Sequence, residues 1–131
     1  MTTDKIDNFN VKAELLFRPF LGKFGYVLEE KKVNEINGKK WSTHHIYISS
    51  SANRRIVIKQ EPYYTDYGFS FFIYKLGTDN FNILYNVPHE KQDKDDNYLS
   101  KACDDLVSRT DLIELISGKL WKVLNYIPFQ E

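Results

Sequence analysis

The side chains able to do metal, acid–base or nucleophilic chemistry are few, and their spacing is poor for it. His44 and His45 are neighbours in KKWSTHHIYISS, a stretch that alternates as a strand. They therefore point to opposite faces and cannot share a metal ion. The third histidine, His89, and the only thiol, Cys103, lie far off in sequence, so a zinc site would need long-range assembly with carboxylates. Asp93, Asp95 and Asn97 resemble the opening of an EF-hand loop. Tyr98, however, stands where the sharp turn needs glycine, and Asp104 where the loop needs a bidentate glutamate. These acids read as loop-solvating and helix-capping groups, and no metal or cofactor is expected.

Covalent catalysis is no better supplied. Cys103 falls on the apolar stripe of a helix expected over 98–109, where a thiol behaves as a small hydrophobe and ionises reluctantly. No GxSxG elbow, P-loop or GxGxxG occurs. The carboxylate pairs Glu29-Glu30 and Asp104-Asp105 have no evident apolar pocket to drive their pKa values apart. No catalytic residue is assigned, and the expectation leans away from an enzyme.

The chemistry that the sequence does concentrate is that of contact. Nine tyrosines and nine phenylalanines make up most of an aromatic share of 15%. Tyr63, Tyr64 and Tyr67 cluster in the turn-rich connection EPYYTDYG, with Glu61 before them and Asp66 among them. Three rings in one polar loop are hard to bury together, and tyrosine favours interfaces because its ring is large and stiff while its hydroxyl tolerates water. With Trp41, Tyr47, Phe72 and Tyr74 on the neighbouring strands they make a candidate partner-binding surface, with Glu61 and Asp66 as its charged rim.

These residues need a scaffold, and the chain from Arg54 to Val87 reads as its centre, with strands over 54–60, 68–76 and 81–87. Gly77-Thr78-Asp79-Asn80 reverses the chain between the last two. Strands over 26–36 and 39–49 precede them, joined by Asn37-Gly38, a strong hairpin signal. Short connections favour an antiparallel meander of five strands. The fourth strand is apolar on both sides, Phe69, Phe71 and Ile73 against Phe72, Tyr74 and Leu76, unlike a strand with one face in water.

Helical spacing of Phe9, Ala13, Leu16 and Phe17 predicts a first helix over about 8–17, capped by Asp7 or Asn8 and either ended near Arg18 by Pro19 or followed by a new turn through Phe20 and Leu21. The charged run 89–97 reads as a loop. A helix over 98–109 follows, then one opened by an Asp111-x-x-Glu114 box, with a stripe of Leu112, Ile116, Leu120, Val123, Leu124 and Ile127 that Gly118 could split. The fold class is α+β: one sheet with the helices packed on one face, in a single domain over 1–131.

Eighteen basic and eighteen acidic residues cancel. Arg54, Arg55 and Lys59 lie near aromatic residues, which raises the stacking of single-stranded nucleic acid. The order of elements is not that of an RRM, no RNP motif occurs, and the charge balance offers no basic excess. No run approaches the ~20 apolar residues that span a bilayer. MTTDKIDNFN lacks the cationic start and apolar core of an export signal, and one cysteine allows no internal disulfide, so a cytoplasmic protein is expected.

In layout the chain resembles the small bacterial immunity-like proteins of polymorphic or contact-delivered toxin systems. The likeness is carried by LGKFGYVLEE after a short helix, strands HHIYISS and RRIVIKQ, an aromatic strand, and a C-terminal helix pair with ISGKL. It implies a non-enzymatic protein that blocks a partner toxin through an acidic or aromatic surface, and it carries no individual residues over. The expected function is protein binding, to a partner or to a second copy as a homodimer. The alternative is a small-ligand binder or enzyme with a pocket between sheet and helices, bordered by His44 or His45.

Overall fold

Asn37 and Gly38 take positive φ values of 53° and 79°, as a two-residue type I′ hairpin demands. They turn β1 (Val27–Ile36) back onto β2 (Lys39–Ser49). Asn53, at φ 61°, ends the turn into β3 (Arg54–Gln60), followed by β4 (Phe69–Lys75) and β5 (Phe81–Val87). Neighbours in sequence are neighbours in the sheet, all antiparallel, so the order is β1-β2-β3-β4-β5. α1 (Thr3–Gly22) precedes the sheet, and α2 (Tyr98–Ser108) and α3 (Thr110–Ser117) follow it. This computed structural model describes residues 3–61, 68–88 and 98–121, apart from the side chains of 3–6, 36 and 39–41. The α+β class and the five-stranded meander expected from the sequence are what the chain adopts, and the expected loop 89–97 lies outside the described residues.

Register decides the faces. Tyr47, Ile56 and Ile73 align across β2, β3 and β4, as do His45, Ile58 and Phe71, and then Thr43, Gln60 and Phe69. All nine are fully buried. Over them α1 lays Phe9, Ala13, Phe17 and Leu21, each with no exposed surface. Phe17 reaches Phe69 and Phe71 at ring separations of 6.1 and 5.5 Å. α2 adds Leu99, Ala102 and Leu106, and α3 adds Leu112, Leu115 and Ile116. Tyr98 sets its ring edge-on to Phe69 at 6.0 Å and donates its hydroxyl to Gln60 Oε1 at 3.1 Å. A large apolar side chain buried here stabilises the fold by about 1.5–3 kcal/mol.

Several boundaries differ from expectation. Pro19 does not end α1, which runs from Thr3 to Gly22 with Asp7 and Asn8 inside it. Burial of Phe20 and Leu21 in the next turn outweighs the backbone hydrogen bond that proline removes. Asp111 does not open a capping box. It takes two hydrogen bonds from Arg109, at 3.1 and 2.9 Å, and α3 starts with no side-chain cap. Gly118 ends α3 in the left-handed region, with its N–H on the Leu115 carbonyl and that of Lys119 on Glu114. Val123, Leu124 and Ile127 lie outside the described residues.

Candidate interaction surface

The same register fixes what the other face of the sheet presents. Ile46, Val57, Phe72 and Ile83 form one row across β2 to β5, and Ile48, Arg55, Tyr74 and Phe81 the next. A third row is polar and cationic: Lys32, His44, Lys59, Ser70 and Asn86, running from β1 to β5. Two rows that are apolar except for Arg55 and one polar, cationic row therefore lie side by side.

Three rings meet in the apolar part. Phe72 and Tyr74 stack at 6.3 Å and 18°, while Phe81 packs on them at 5.9 and 5.6 Å. Their centroid spacings fit attractive aromatic pairs, worth about 0.5–1.5 kcal/mol each. Phe81 remains 49% exposed, although it is among the largest apolar side chains of the chain. Each flanking cation stands against a ring, the Arg55 guanidinium 4.9 Å from Tyr74 and Lys59 Nζ 4.4 Å from Phe72.

Next to the rings the surface dips. A cavity of about 200 Å³ is lined by Lys59, Glu61, Ser70 and Phe72. At its edge His44 Nε2 and Glu61 Oε2 lie 3.0 Å apart, and that bond holds the Glu61 carboxyl below the usual range. Ser70 Oγ accepts from Asn86 Nδ2 at 2.9 Å.

The predicted partner-binding residues divide. Phe72, Tyr74 and Glu61 come together on the outer face. Tyr47 does not join them and is corrected to the core: it is fully buried in the row of Ile56 and Ile73, and burial pushes its hydroxyl up to about 12. The number of residues in each turn sets which strand positions share a face, and it puts Tyr47 opposite to Phe72. Trp41 sits where the β1–β2 pairing shifts register, between the Ser42 and Lys40 pairs; its side chain lies outside the described set, as do Tyr63, Tyr64, Asp66 and Tyr67. Phe81, Arg55 and Lys59, which are not among the partner contacts expected from the sequence, complete the surface. The reversal at 77–80 carried the missing signal, because it places Phe81 directly opposite Tyr74.

His44 and His45 do face opposite ways. His45 is wholly buried beneath α1 and donates through Nε2 to Asn10 Oδ1 at 2.9 Å, an oxygen that also accepts from Thr43 Oγ1 at 2.8 Å. Burial pushes its imidazole down to about 4. The Cys103 thiol is half-buried, lies 3.7 Å from the Leu16 carbonyl, and is pushed up by burial. No three His, Cys, Asp or Glu side chains among the described residues group as metal ligands.

A second concavity, of about 550 Å³, lies between α1 and β1, lined by Val11, Glu14, Leu15, Arg18, Pro19 and Lys31. Val11 and Leu15, one turn apart, are 60% and 69% exposed. Glu14 pairs with both Arg18 and Lys31 there. Neither histidine lines this groove. No described helix is long and apolar enough to cross a membrane. Compared with protein-family models, curated proteins and solved structures, the chain matches none.

Proposed function

We propose that the chain is a protein-binding domain working in the cytoplasm. It blocks a partner as the immunity-like proteins of its layout do, and the outer faces of β3, β4 and β5 are its contact surface. The observation that carries this reading is the Phe72–Tyr74–Phe81 cluster on the sheet face opposite to α1, α2 and α3, with Phe81 half in water and Phe72 and Tyr74 partly exposed. Contiguous exposed rings cost solubility, and rings bordered by cations are the usual anchors of an interface.

The alternative, a small-ligand site, has one observation in its favour: the groove between α1 and β1, with Val11 and Leu15 exposed along it. Site-specific photo-cross-linking in cells separates the two. A cross-linking residue replacing Phe81 is expected to trap a protein partner that the purified domain inhibits and that Phe81→Ser releases with little change in melting temperature. Trapping from position 15 alone, with none from position 81, overturns the reading.

A further inference from the structure

We infer that the partner reaches this face with an acidic peptide segment, one carboxylate seated between Lys59 and Ser70 and an apolar side chain beside it on Phe72 and Phe81. The inference rests on the outer face being the contact surface and adds the chemistry of what it takes.

The donors come first. Lys59 Nζ has the ring of Phe72 on one side and no carboxylate salt bridge among the described residues, so its remaining hydrogens are available at the cavity. The Ser70 hydroxyl already accepts from Asn86, which leaves its own hydrogen to donate. Among the described residues the one acid lining the cavity is Glu61, and it is engaged by His44. A partner carboxylate would therefore meet an ammonium and a hydroxyl, in competition with Glu61, whose charge Lys59 also attracts but does not ion-pair.

Size and neighbourhood agree. A space of about 200 Å³ takes a side-chain carboxyl with a few further atoms, not a nucleotide. The Phe72–Phe81 rings adjoin it, so an apolar residue next to the acid would land on them. The arrangement pairs a charged contact with an aromatic anchor, which confers both register and affinity.

Other occupants fit less well. A single strand of nucleic acid stacks its bases on open ring faces along a basic track. Here Arg55 and Lys59 already stand against Tyr74 and Phe72, and the chain is electrically balanced. A second copy meeting this face about a two-fold axis would bring one basic row near another, with Lys32 and Lys59 in each.

Amide chemical shifts read the site directly. The probes are N-acetyl-aspartyl-phenylalanine amide, its asparaginyl counterpart, inorganic phosphate and an oligothymidylate. The acidic dipeptide is expected to move the amides of Lys59, Ser70 and Phe72 saturably, and the asparaginyl form to bind about tenfold more weakly, the worth of one charge-assisted hydrogen bond. Lys59→Gln should remove that difference, Phe81→Ser should weaken both dipeptides, and added salt should weaken only the acidic one.

Equal binding of the two dipeptides overturns the acidic assignment, as does no shift on this face by either. Phosphate binding as tightly as the dipeptide makes this a free-anion site, and tighter binding of oligothymidylate makes it a nucleic-acid platform; both overturn the inference. The wild-type comparison needs no folded variant. If the dipeptides fail while cross-links still form from position 81, the contact surface stands and only its acidic preference falls.

Discussion

Arg54 Nε donates to the carbonyl of Leu115, 3.1 Å away and 61 residues later in the chain. Its other nitrogens reach the carbonyls of Asn53 and Leu120, each at 3.1 Å, and the guanidinium lies 5.0 Å from the Trp121 ring. Beside it the Tyr26 hydroxyl donates to the Ile116 carbonyl at 2.6 Å. Two donors from the sheet side thus reach carbonyls at the end of α3, in the place where a cation also suits the helix dipole.

Arg54→Ala should therefore lower the free energy of unfolding by roughly 2–4 kcal/mol, and Arg54→Lys should restore little, because an ammonium cannot serve three carbonyls in one plane. Urea denaturation checks it. A loss within about 0.5 kcal/mol would mean that α3 is held by its apolar face alone.

His45 should make stability fall with acid. Burial is the main cause of its low pKa of about 4; Lys31 across the strand pair and neighbouring His44 push the same way, and Glu14 opposes them. In the unfolded chain the ring takes its proton near pH 6.5. Between those values the unfolded state holds a proton that the folded state refuses, so stability is complete above about pH 6.5 and declines as pH drops toward 4, by up to about 3 kcal/mol. Protonation would also put a donor on Nδ1, which has no partner among the described residues. Urea midpoints of wild type and His45→Gln, compared at neutral pH and at pH near 4.5, isolate the effect from the carboxylates. Parallel pH profiles would sink the prediction.

Two glycines in the left-handed region should respond unequally to alanine. At Gly38, with φ 79°, nothing lies within 4 Å of an added Cβ, so Gly38→Ala should cost only the backbone strain of about 1–2 kcal/mol. At Gly118, with φ 85°, the Cβ would stand 2.6 Å from the Ala52 carbonyl oxygen and 2.8 Å from its Cα. Both neighbours are backbone, so Gly118→Ala should cost clearly more and loosen α3 from the β2–β3 turn. Calorimetric melting of both variants decides it; equal losses would show that the Ala52 turn yields freely.

The sheet was largely legible because its signals are local. Asn37-Gly38 fixed one hairpin, and the doubly apolar β4 showed that its outer face was unusual. The two faces were harder to tell apart. Tyr47 and Phe72 look alike in sequence, yet their sides depend on turn lengths summed across two hairpins, and one is core while the other is surface. Arg54 looked like the start of a strand or part of a basic patch, since a sequence displays a charge but not the distant carbonyls that meet it. In sequence Pro19 displays only its backbone penalty, and the burial of Phe20 and Leu21 that overrides it belongs to tertiary packing.

The order of the meander also has a consequence during translation. Each strand pairs with the one synthesised just before it, so the sheet can be complete once Val87 has left the ribosome. Its inner floor, with Phe69, Phe71 and Ile73, is then roofed by α1 alone, because α2 and α3 are made afterwards. A nascent chain paused in that interval carries both a half-covered core and the outer aromatic rows. That is when this polypeptide most resembles a client for chaperones, and α1, made first, is the provisional lid that shortens the exposure.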